Sequence, residues 1–373
     1  ARENHSYPAD MYCEGSDQHR GWFNKSLIVG MATKGIPPFK EIVSHGFVLD
    51  SEGKAMSKSI GNTIAPQDVI KNVGADVLRL FISSTDYSED VRIGDEILKR
   101  VTESYRRIRN TFRFMLANIN DFDPATDMVD YDSLERLDRY ALHKLEDLVG
   151  QAIWGYDSYE FHKVYRCLHN FCSVELSSLY LDILKDRLYA SAPASRERRS
   201  AQTVIYQVTS VLARLIAPII PHTAEEVWKY LPGEKEESIF LSKFPAVRPQ
   251  YTDKGLAERG DKILAVREKV LMALEAARQS GKIGKPLESR VILNVPDPDY
   301  SFLKEYEDML AQVFIVSQVE LKKTDAEEIS IEVTAPLGAK CDRCWLILES
   351  VGKHEDHPTL CDRCHDAITA FTE

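Results

Sequence analysis

Apolar residues recur at the 3.6-residue spacing of amphipathic helices from Asp95 onward, and this pattern covers the middle of the chain. It predicts five helices that we expect to pack as a bundle, at roughly 95–119, 134–156, 159–189, 197–217 and 223–230. Pro218 and Pro221 should turn the chain before the last helix. Thr223, with Glu226 three residues later, predicts a capping box at the start of that helix.

Before residue 95 the pattern is short and mixed. It predicts a helix at Lys25 to Thr33, a strand at Ile42 to Val48, and a helix at Val69 to Ser83 that is broken or bent at Gly74. Residues Ala1 to Asp10 show no pattern of their own, and this abrupt beginning suggests a fragment or a processed chain. The βα alternation is too short for a complete nucleotide-binding sheet, which needs several βα units.

The last third reads as a mixed region. After a linker candidate at Pro245 to Thr252, the pattern predicts helices at 261–280 and 302–312. It also predicts short strands at 291–295 and 329–333. We therefore expect a predominantly α fold with α/β parts. The expected domains are a mixed α/β segment at 1–93, a helical bundle at 94–245, a mixed α/β junction domain at 246–335 and a cysteine module at 336–373.

Composition narrows the choice of partners. The formal net charge of -11 argues against a protein that coats nucleic acid non-specifically, although it allows a local basic groove. No run of about 18 apolar residues exists, and no basic stretch followed by an apolar one opens the chain. These features favour a cytoplasmic protein that does not enter a membrane.

Four of the seven cysteines form two Cys-x-x-Cys pairs, Cys341 with Cys344 and Cys361 with Cys364. In a reducing compartment this pattern indicates a metal more often than disulfides. Four thiolates would fill a tetrahedral shell, so we expect one structural Zn²⁺ and no catalytic water. His354, His357 and His365 are alternative ligands. Because four cysteines already complete the shell, we expect these histidines to lie at the surface or beside the ligands instead.

A loop from Gly53 to Asn62 places Lys58 between Ser57 and Ser59. An ammonium and two hydroxyls on a flexible loop can hold a polyphosphate and stabilise charge that moves in a transition state. The alternative is an ordinary solvated turn, which composition alone favours.

The flanking residues change that balance. The sequence around Lys58 resembles the Lys-Met-Ser-Lys-Ser signature of class I aminoacyl-tRNA synthetases, and the string from Cys13 to Phe23 resembles isoleucyl-tRNA synthetases in particular. The resemblance continues through Gly74-Ala75-Asp76, Ala217 to His222 and the terminal cysteines, as in bacterial members with a C-terminal zinc module.

The resemblance implies roles for residues at matching positions. Glu14 and Asp17 would bind the aminoacyl-adenylate, Gln18 and Trp22 would border the amino-acid side chain, and Lys58 with its neighbouring serines would act on the ATP phosphates. The chemistry agrees, because a carboxylate suits a substrate ammonium and an indole face suits a branched aliphatic chain. For Trp22 taken alone, ordinary core packing is the alternative.

Two departures from the family pattern stand out. Ala55 occupies the position of the first signature lysine, with Lys54 one place earlier, so either Lys54 replaces it or that charge is dispensable. The His-Ile-Gly-His type signature and the large editing domain of the family do not occur. We therefore expect a C-terminal part of such an enzyme that does not activate isoleucine alone.

The first long helix carries a basic segment. Lys99, Arg100 and four further arginines face only Glu103 as a counter-charge between residues 99 and 113. On a helix, positions 99, 106 and 113 align, which favours a stripe that follows a phosphate backbone, while a solvated face is the alternative. The predicted tRNA contacts are Arg106, Arg107, Arg109 and Arg113.

The implied reaction has two steps. Isoleucine and ATP, with Mg²⁺ expected, would give isoleucyl-adenylate, and the acyl group would then pass to tRNA-Ile. The full-length protein is expected to be a monomer. The competing hypothesis is a stand-alone tRNA-binding module without catalysis, against which the presence of Glu14, Gln18, Trp22 and Lys58 argues.

Overall fold

The computed structural model describes residues 6–370. Its contacts divide the chain into two compact units that interleave along the sequence. Unit 1 comprises residues 1–109, 151–169 and 216–226, and unit 2 comprises residues 110–150, 170–215 and 227–373. None of the described helices combines the length and the apolar character that a membrane crossing requires.

The first part of the chain alternates short strands and helices. Its elements are β1 Ala9–Gly15, α1 Trp22–Lys34, β2 Phe39–His45, β3 Val48–Leu49, α2 Pro66–Val73, α3 Ala75–Ser84 and β4 Val91–Arg92. Strands β1 and β2 pair in parallel, with Glu14 opposite Ser44, and α1 forms the crossover between them. Strand β3 pairs in parallel with β4.

Long helices follow, as the 3.6-residue period predicts. They are α4 Asp95–Asn118, α5 Arg136–Asp157, α6 Phe161–Asn170, α7 Leu181–Ala190, α8 Arg196–Ile216 and α9 Pro221–Tyr230. Between α6 and α7 the chain stays helical but widens into a π-helix, Phe171–Tyr180. The apolar stripe of α4, including Ile108, Phe112 and Met115, is buried, whereas its arginines are exposed.

The remaining elements belong to unit 2. They are α10 Lys254–Gln279, β5 Arg290–Val295, α11 Asp299–Lys304, α12 Glu307–Phe314, β6 Gln318–Lys323, β7 Ser330–Thr334, β8 Ala339–Lys340, β9 Ile347–Leu348 and α13 Asp362–Thr369. Strand β5 lies at the centre of a three-stranded sheet, parallel to β6 and antiparallel to β7. Strands β8 and β9 form a small antiparallel ladder ahead of α13.

The predicted capping box at Thr223 is wrong. Helix α9 begins earlier, at Pro221. The Thr223 hydroxyl and backbone N–H both donate to the carboxylate of Asp76, at 2.6 and 2.8 Å. The backbone N–H groups at the start of α9 therefore find their acceptor in Asp76 of α3, and not in the local Thr-Glu pair that the sequence predicts. Arg79 of the same helix donates to the carbonyls of Pro218 and Ile219 just before it.

Three other expectations need correction. A strand begins at Ala9, inside the stretch from Ala1 to Asp10 for which no element was expected; residues 1–5 of that stretch lie outside the described residues. The single helix expected at 302–312 is two helices, α11 and α12, which are separate because Tyr306 leaves the helical conformation. The linker candidate at 245–252 is anchored, since the backbone N–H and guanidinium of Arg248 donate to the buried carboxylate of Glu146.

Candidate functional site

The turn after β1 is built around Gln18. Its side-chain amide donates to Asp17 Oδ2 at 2.9 Å, and its Oε1 accepts from the backbone N–H of Trp22 at 2.9 Å, where α1 begins. Gly21 makes this closure possible, because a Cβ there would lie 2.5 Å from Gln18 Oε1. Gln18 is therefore fixed at the start of α1, just beyond the exposed Glu14.

Trp22 is not a core residue. Its indole stacks on the Tyr12 ring, with centroids 4.1 Å apart and planes within 10°, while the next residue, Phe23, is buried. Trp22 nevertheless remains 44% exposed. One face of the indole is thus supported by β1, and the rest is free to contact another molecule.

The loop after β3 is tied together at its base. Asp50 Oδ1 accepts from the backbone N–H groups of Glu52 and Lys54, and Asp50 Oδ2 accepts from the Asn62 amide at 2.7 Å. Asn62 in turn accepts from the backbone N–H of Ser57 at 2.9 Å. The hydrogen bond from Asn62 lowers the pKa of Asp50, and the two backbone donors add to that effect.

Asp50 is a residue that sequence reasoning missed. The local signal was available, because an aspartate three residues before Gly53, whose φ is +83°, is typical of a turn held by an Asp side chain. Its partnership with Asn62, twelve residues later, has no such local signal.

The two lysines of this loop differ in their surroundings. Lys54 Nζ lies 2.6 Å from Glu52 Oε2 in an exposed ion pair. Lys58 is exposed, and within residues 6–370 its ammonium has no ion-pair partner. Ser57 and Ser59 share a hydrogen bond of 2.6 Å between their hydroxyls on either side of it.

The structure brings the predicted residues of this region together in two groups. One joins Asp17, Gln18 and Trp22, and the other joins Ser57 with Ser59 beside Lys58. No hydrogen bond or ion pair among the described residues links one group to the other. Glu14 lies on the strand that leads into the first group.

The predicted tRNA-binding arginines lie on the exposed side of α4, and Arg106 and Arg109 among them form ion pairs within the protein. Arg106 pairs with Glu103 at 2.6 Å, and Arg109 lies 3.6 Å from Glu226. Both ion pairs are exposed and hence weak enough to be exchanged for phosphates. Arg113 is exposed as well.

The four predicted metal ligands form one cluster. The sulfur atoms of Cys341, Cys344, Cys361 and Cys364 all lie within 4.8 Å of one another. The 3.8 Å between the sulfurs of Cys344 and Cys361 is too long for a disulfide and close to the roughly 3.8 Å edge of a tetrahedral Zn–thiolate shell. The donor set and spacing therefore fit zinc.

The thiols already differ in acidity. A hydrogen bond from Cys344 lowers the pKa of Cys364 to about 5, helped by Arg343, whereas burial raises the pKa of Cys361 to about 11. The hydrogen bond to Cys364, together with burial, raises the pKa of Cys344. Metal binding must then displace protons from the other thiols, so metal affinity should fall in acid.

The cysteine module docks on the end of α7. The cluster packs with Ala190, Leu360 and partly buried apolar residues around it. Arg343 donates to the carbonyl of Ala190, and Arg363 forms a two-pronged ion pair with Asp186. A metal that orders the module therefore also orders its contact with this helix.

Sequence comparisons match three families along the chain. Residues 1–94 match the tRNA synthetases class I (I, L, M and V), and residues 138–293 match the anticodon-binding domain of tRNA ligase. Residues 338–367 match the zinc finger found in FPG and IleRS. The three matches follow one another along the chain without overlapping.

Curated relatives match nearly the whole chain. The isoleucine–tRNA ligase of Syntrophotalea carbinolica is 49% identical over 99% of this chain and 41% of its own length. That of Moorella thermoacetica is 48% identical over 97% of this chain and 40% of its own length. The chain therefore spans about two fifths of the length of these relatives.

Solved structures share the fold at low identity. A LeuRS–tRNA–LeuAMS ternary complex from Agrobacterium radiobacter K84 has a TM-score of 0.51 at 19% identity, covering 66% of this chain and 29% of that one. Mycobacterium tuberculosis methionyl-tRNA synthetase, in complex with methionyl-adenylate, has a TM-score of 0.52 at 21% identity, covering 63% of this chain and 46% of that one. The family matches, together with alignments that cover nearly all of this chain and about two fifths of the curated relatives, lead to one conclusion: the chain belongs to the isoleucine–tRNA ligase family of class I tRNA synthetases.

Proposed function

We propose that this chain is part of an isoleucine–tRNA ligase, which activates isoleucine with ATP and transfers it to tRNA-Ile in the cytoplasm. The observation that carries the proposal is the loop around Lys58, whose base is tied by Asp50 and Asn62 while the Lys58 ammonium remains exposed and unpaired among residues 6–370. A loop held at its base with a free ammonium at its tip suits a mobile phosphate contact.

Lys58 would stabilise the phosphate charge that develops when isoleucine displaces pyrophosphate from ATP. The hydroxyls of Ser57 and Ser59 can exchange their mutual hydrogen bond for phosphate oxygens. Mg²⁺ would supply further positive charge on those oxygens and would arrive with the ATP. In the loop, Asp50 and Glu52 are engaged with Asn62 and Lys54, so these carboxylates do not fit a role as resident Mg²⁺ ligands.

The first group of residues would bind the amino acid. The supported indole of Trp22 offers an apolar wall for a branched side chain, and Gln18 fixes that wall through its hydrogen bond to the Trp22 backbone. Glu14 at the end of β1 and Asp17 in the turn after it are carboxylates suited to a substrate ammonium or to ribose hydroxyls of the adenylate.

The rest of the chain would bind the RNA. Arg106, Arg107, Arg109 and Arg113 would contact phosphates of tRNA-Ile, because phosphate contacts supply most of the affinity in such interfaces. We assign the segments 1–93, 94–245, 246–335 and 336–373 to a catalytic part, an anticodon-binding bundle, a junction domain and a zinc module. One structural Zn²⁺, held by Cys341, Cys344, Cys361 and Cys364, would keep the module docked on α7, and the complete protein would act as a monomer.

A chimaera tests this proposal. This chain would replace the matching region of the Syntrophotalea carbinolica relative, and the product would be assayed for charging of tRNA-Ile with isoleucine. We expect charging at a rate of the same order as the relative itself, and none from the relative with that region deleted.

A chimaera that folds and binds tRNA-Ile but charges none of it would contradict the proposal. That result would favour a tRNA-binding module without catalysis. Valine in place of isoleucine serves as the amino-acid control. It lacks one methylene, for which a hydrophobic pocket alone lowers kcat/KM only about 10- to 200-fold.

A further inference from the structure

A second group of metal-ligand side chains lies beside the four cysteines. His354 and Asp356 come from the loop before Cys361, and His365 lies on α13 directly after Cys364. The Nε2 or Nδ1 atoms of the two histidines and a carboxylate oxygen of Asp356 all lie within 4.8 Å of one another. The cysteine cluster does not use any of these three side chains.

Two of the donors are hydrogen-bonded to each other, slightly closer than two ligands of one metal ion would be. His365 Nε2 lies 3.0 Å from Asp356 Oδ2. In a tetrahedral site with bonds of about 2.0–2.2 Å, neighbouring ligand atoms lie roughly 3.3–3.5 Å apart. If these two atoms moved slightly apart, an ion would fit between them.

The third donor is held next to them. The rings of His354 and His365 stack with centroids 3.8 Å apart and planes within 5°. His354 Nε2 now contacts Asp362 Oδ1 at 2.9 Å. A rotation of this ring would direct its Nε2 towards the same ion, in exchange for that exposed contact and for the present stacking on His365.

The opposite edge of His365 faces a second carboxylate, to which it makes no hydrogen bond. Its Nδ1 lies 3.5 Å from Asp366 Oδ1. Histidine ligands commonly present their second nitrogen to a carboxylate, which orients the ring and increases the basicity of the ligating nitrogen. Asp356 therefore lies at the nitrogen that would bind the ion, and Asp366 lies at the other nitrogen.

We propose that His354, Asp356 and His365 form a second, solvent-facing metal site for a first-row transition-metal dication such as Zn²⁺, separate from the four-cysteine site. Two imidazole nitrogens and one carboxylate oxygen select Zn²⁺, Ni²⁺ or Co²⁺ over Mg²⁺ or Ca²⁺, which prefer oxygen ligands alone. Water completes the shell. The bound ion would link the loop that carries His354 and Asp356 to α13, which carries His365. This proposal does not depend on whether the chain acts on tRNA.

Metal counting tests the proposal on the whole 373-residue chain, purified without a polyhistidine tag. The chain is incubated with excess Zn²⁺, passed through metal-free buffer and analysed for zinc. We expect two zinc ions per chain in the wild type and one in H354A and in H365A. The matched control is H357A, whose native ring lies 5.9 Å from that of His365 but outside the donor group, and which should keep two ions.

Cobalt shows which site is affected. In every variant the first equivalent of Co²⁺ should give the thiolate charge-transfer absorption of the four-cysteine site. A second equivalent should add only weak visible bands, in the wild type and H357A alone. One ion in the wild type, two ions in H354A and H365A, or disappearance of the thiolate band together with both ions in those variants would each overturn the proposal.

Discussion

Single residues of the signature loop divide into those that hold it and those that remain free. Asp50 and Asn62 form its base, and Lys54 is paired with Glu52. Lys58 has no ion-pair partner among the described residues, although it lies only four residues further along. Ala55 occupies the position of the first lysine of the family signature, so we propose that Lys58 is the lysine that contacts ATP.

Substitution of the two lysines should therefore have unequal effects. In the chimaera, K58Q should lower the rate of isoleucine-dependent ATP–pyrophosphate exchange by about 10²- to 10³-fold, the usual loss for one donor to developing charge. K54Q should lower it by less than about fivefold, since an exposed ion pair contributes at most about 1 kcal/mol. Equal losses in K54Q and K58Q would mean that both lysines contact ATP.

At the scale of helices and strands, buried polar groups hold the bundle together. Asp138 of α5 is fully buried and accepts from Tyr180 of the π-helix, from Arg187 of α7 and from Ser200 of α8. The ion pair with Arg187, at 2.6 Å, compensates a guanidinium that is itself buried. These four groups therefore depend on one another.

D138N should destabilise the bundle strongly. It leaves the charge of Arg187 buried without a counter-ion, at a cost of about 3–5 kcal/mol in the free energy of unfolding. Urea titration followed by circular dichroism measures this cost, with D157N, at an exposed position of the same helix, as the control. A loss of under about 1 kcal/mol in D138N would show that Arg187 does not need this partner.

Asp121, after α4, should give the bundle an acid-sensitive contact with α8. Burial opposes its ionisation, but hydrogen bonds from Arg198 and Gln202 outweigh burial and lower the pKa of the carboxyl from its ordinary 3.8. A lowered folded-state pKa contributes stability that is present above pH 3.8 and is lost as the pH falls through the folded pKa.

D121N should consequently melt at a lower temperature than the wild type near neutral pH, with a difference that shrinks below about pH 3.8. Melting temperatures across this pH range provide the measurement, and D325N, at an exposed loop position, is the control. A difference that stays constant with pH would exclude the ionised carboxylate as its source.

The elements that sequence predicts well are those whose pattern is local. The buried stripe of α4 recurs every three or four residues, and Gly74 separates α2 from α3 as expected. Strand β1 was missed because most of its positions remain exposed and its order comes from pairing with β2. The start of α9 was misassigned because its partner, Asp76, lies 147 residues from Thr223.

The candidate sites follow the same rule. The two cysteine pairs are recognisable from their spacing in the sequence, and the structure brings all four sulfurs together. The role of Gln18 as a brace for α1, and that of Asn62 as a tie for the loop, depend on folded geometry that no spacing encodes.

For the whole molecule, an acidic chain carries a basic helix. The net charge is -11, yet α4 exposes Lys99, Arg100, Arg106, Arg107, Arg109 and Arg113. Such a chain should repel RNA over most of its surface and attract it along this helix, so binding should depend on few residues and strongly on salt.

The double variant R106E/R113E should weaken binding of tRNA-Ile at low salt and flatten its salt dependence, by about one unit of logarithmic slope for each phosphate that the helix no longer binds. K229E/K269E makes the same charge change at exposed positions of α9 and α10, and should leave that slope unchanged. Equal weakening in the two variants would indicate a general charge effect and not a stripe on α4.

Isoleucine-dependent ATP–pyrophosphate exchange by the chimaera tests the proposed activity most directly, because this half-reaction would involve the loop and the proposed amino-acid pocket without any RNA. We expect exchange at a rate of the same order as that of the Syntrophotalea carbinolica relative when isoleucine is supplied. Absence of exchange in a chimaera that folds and still binds tRNA-Ile would contradict the proposed activity.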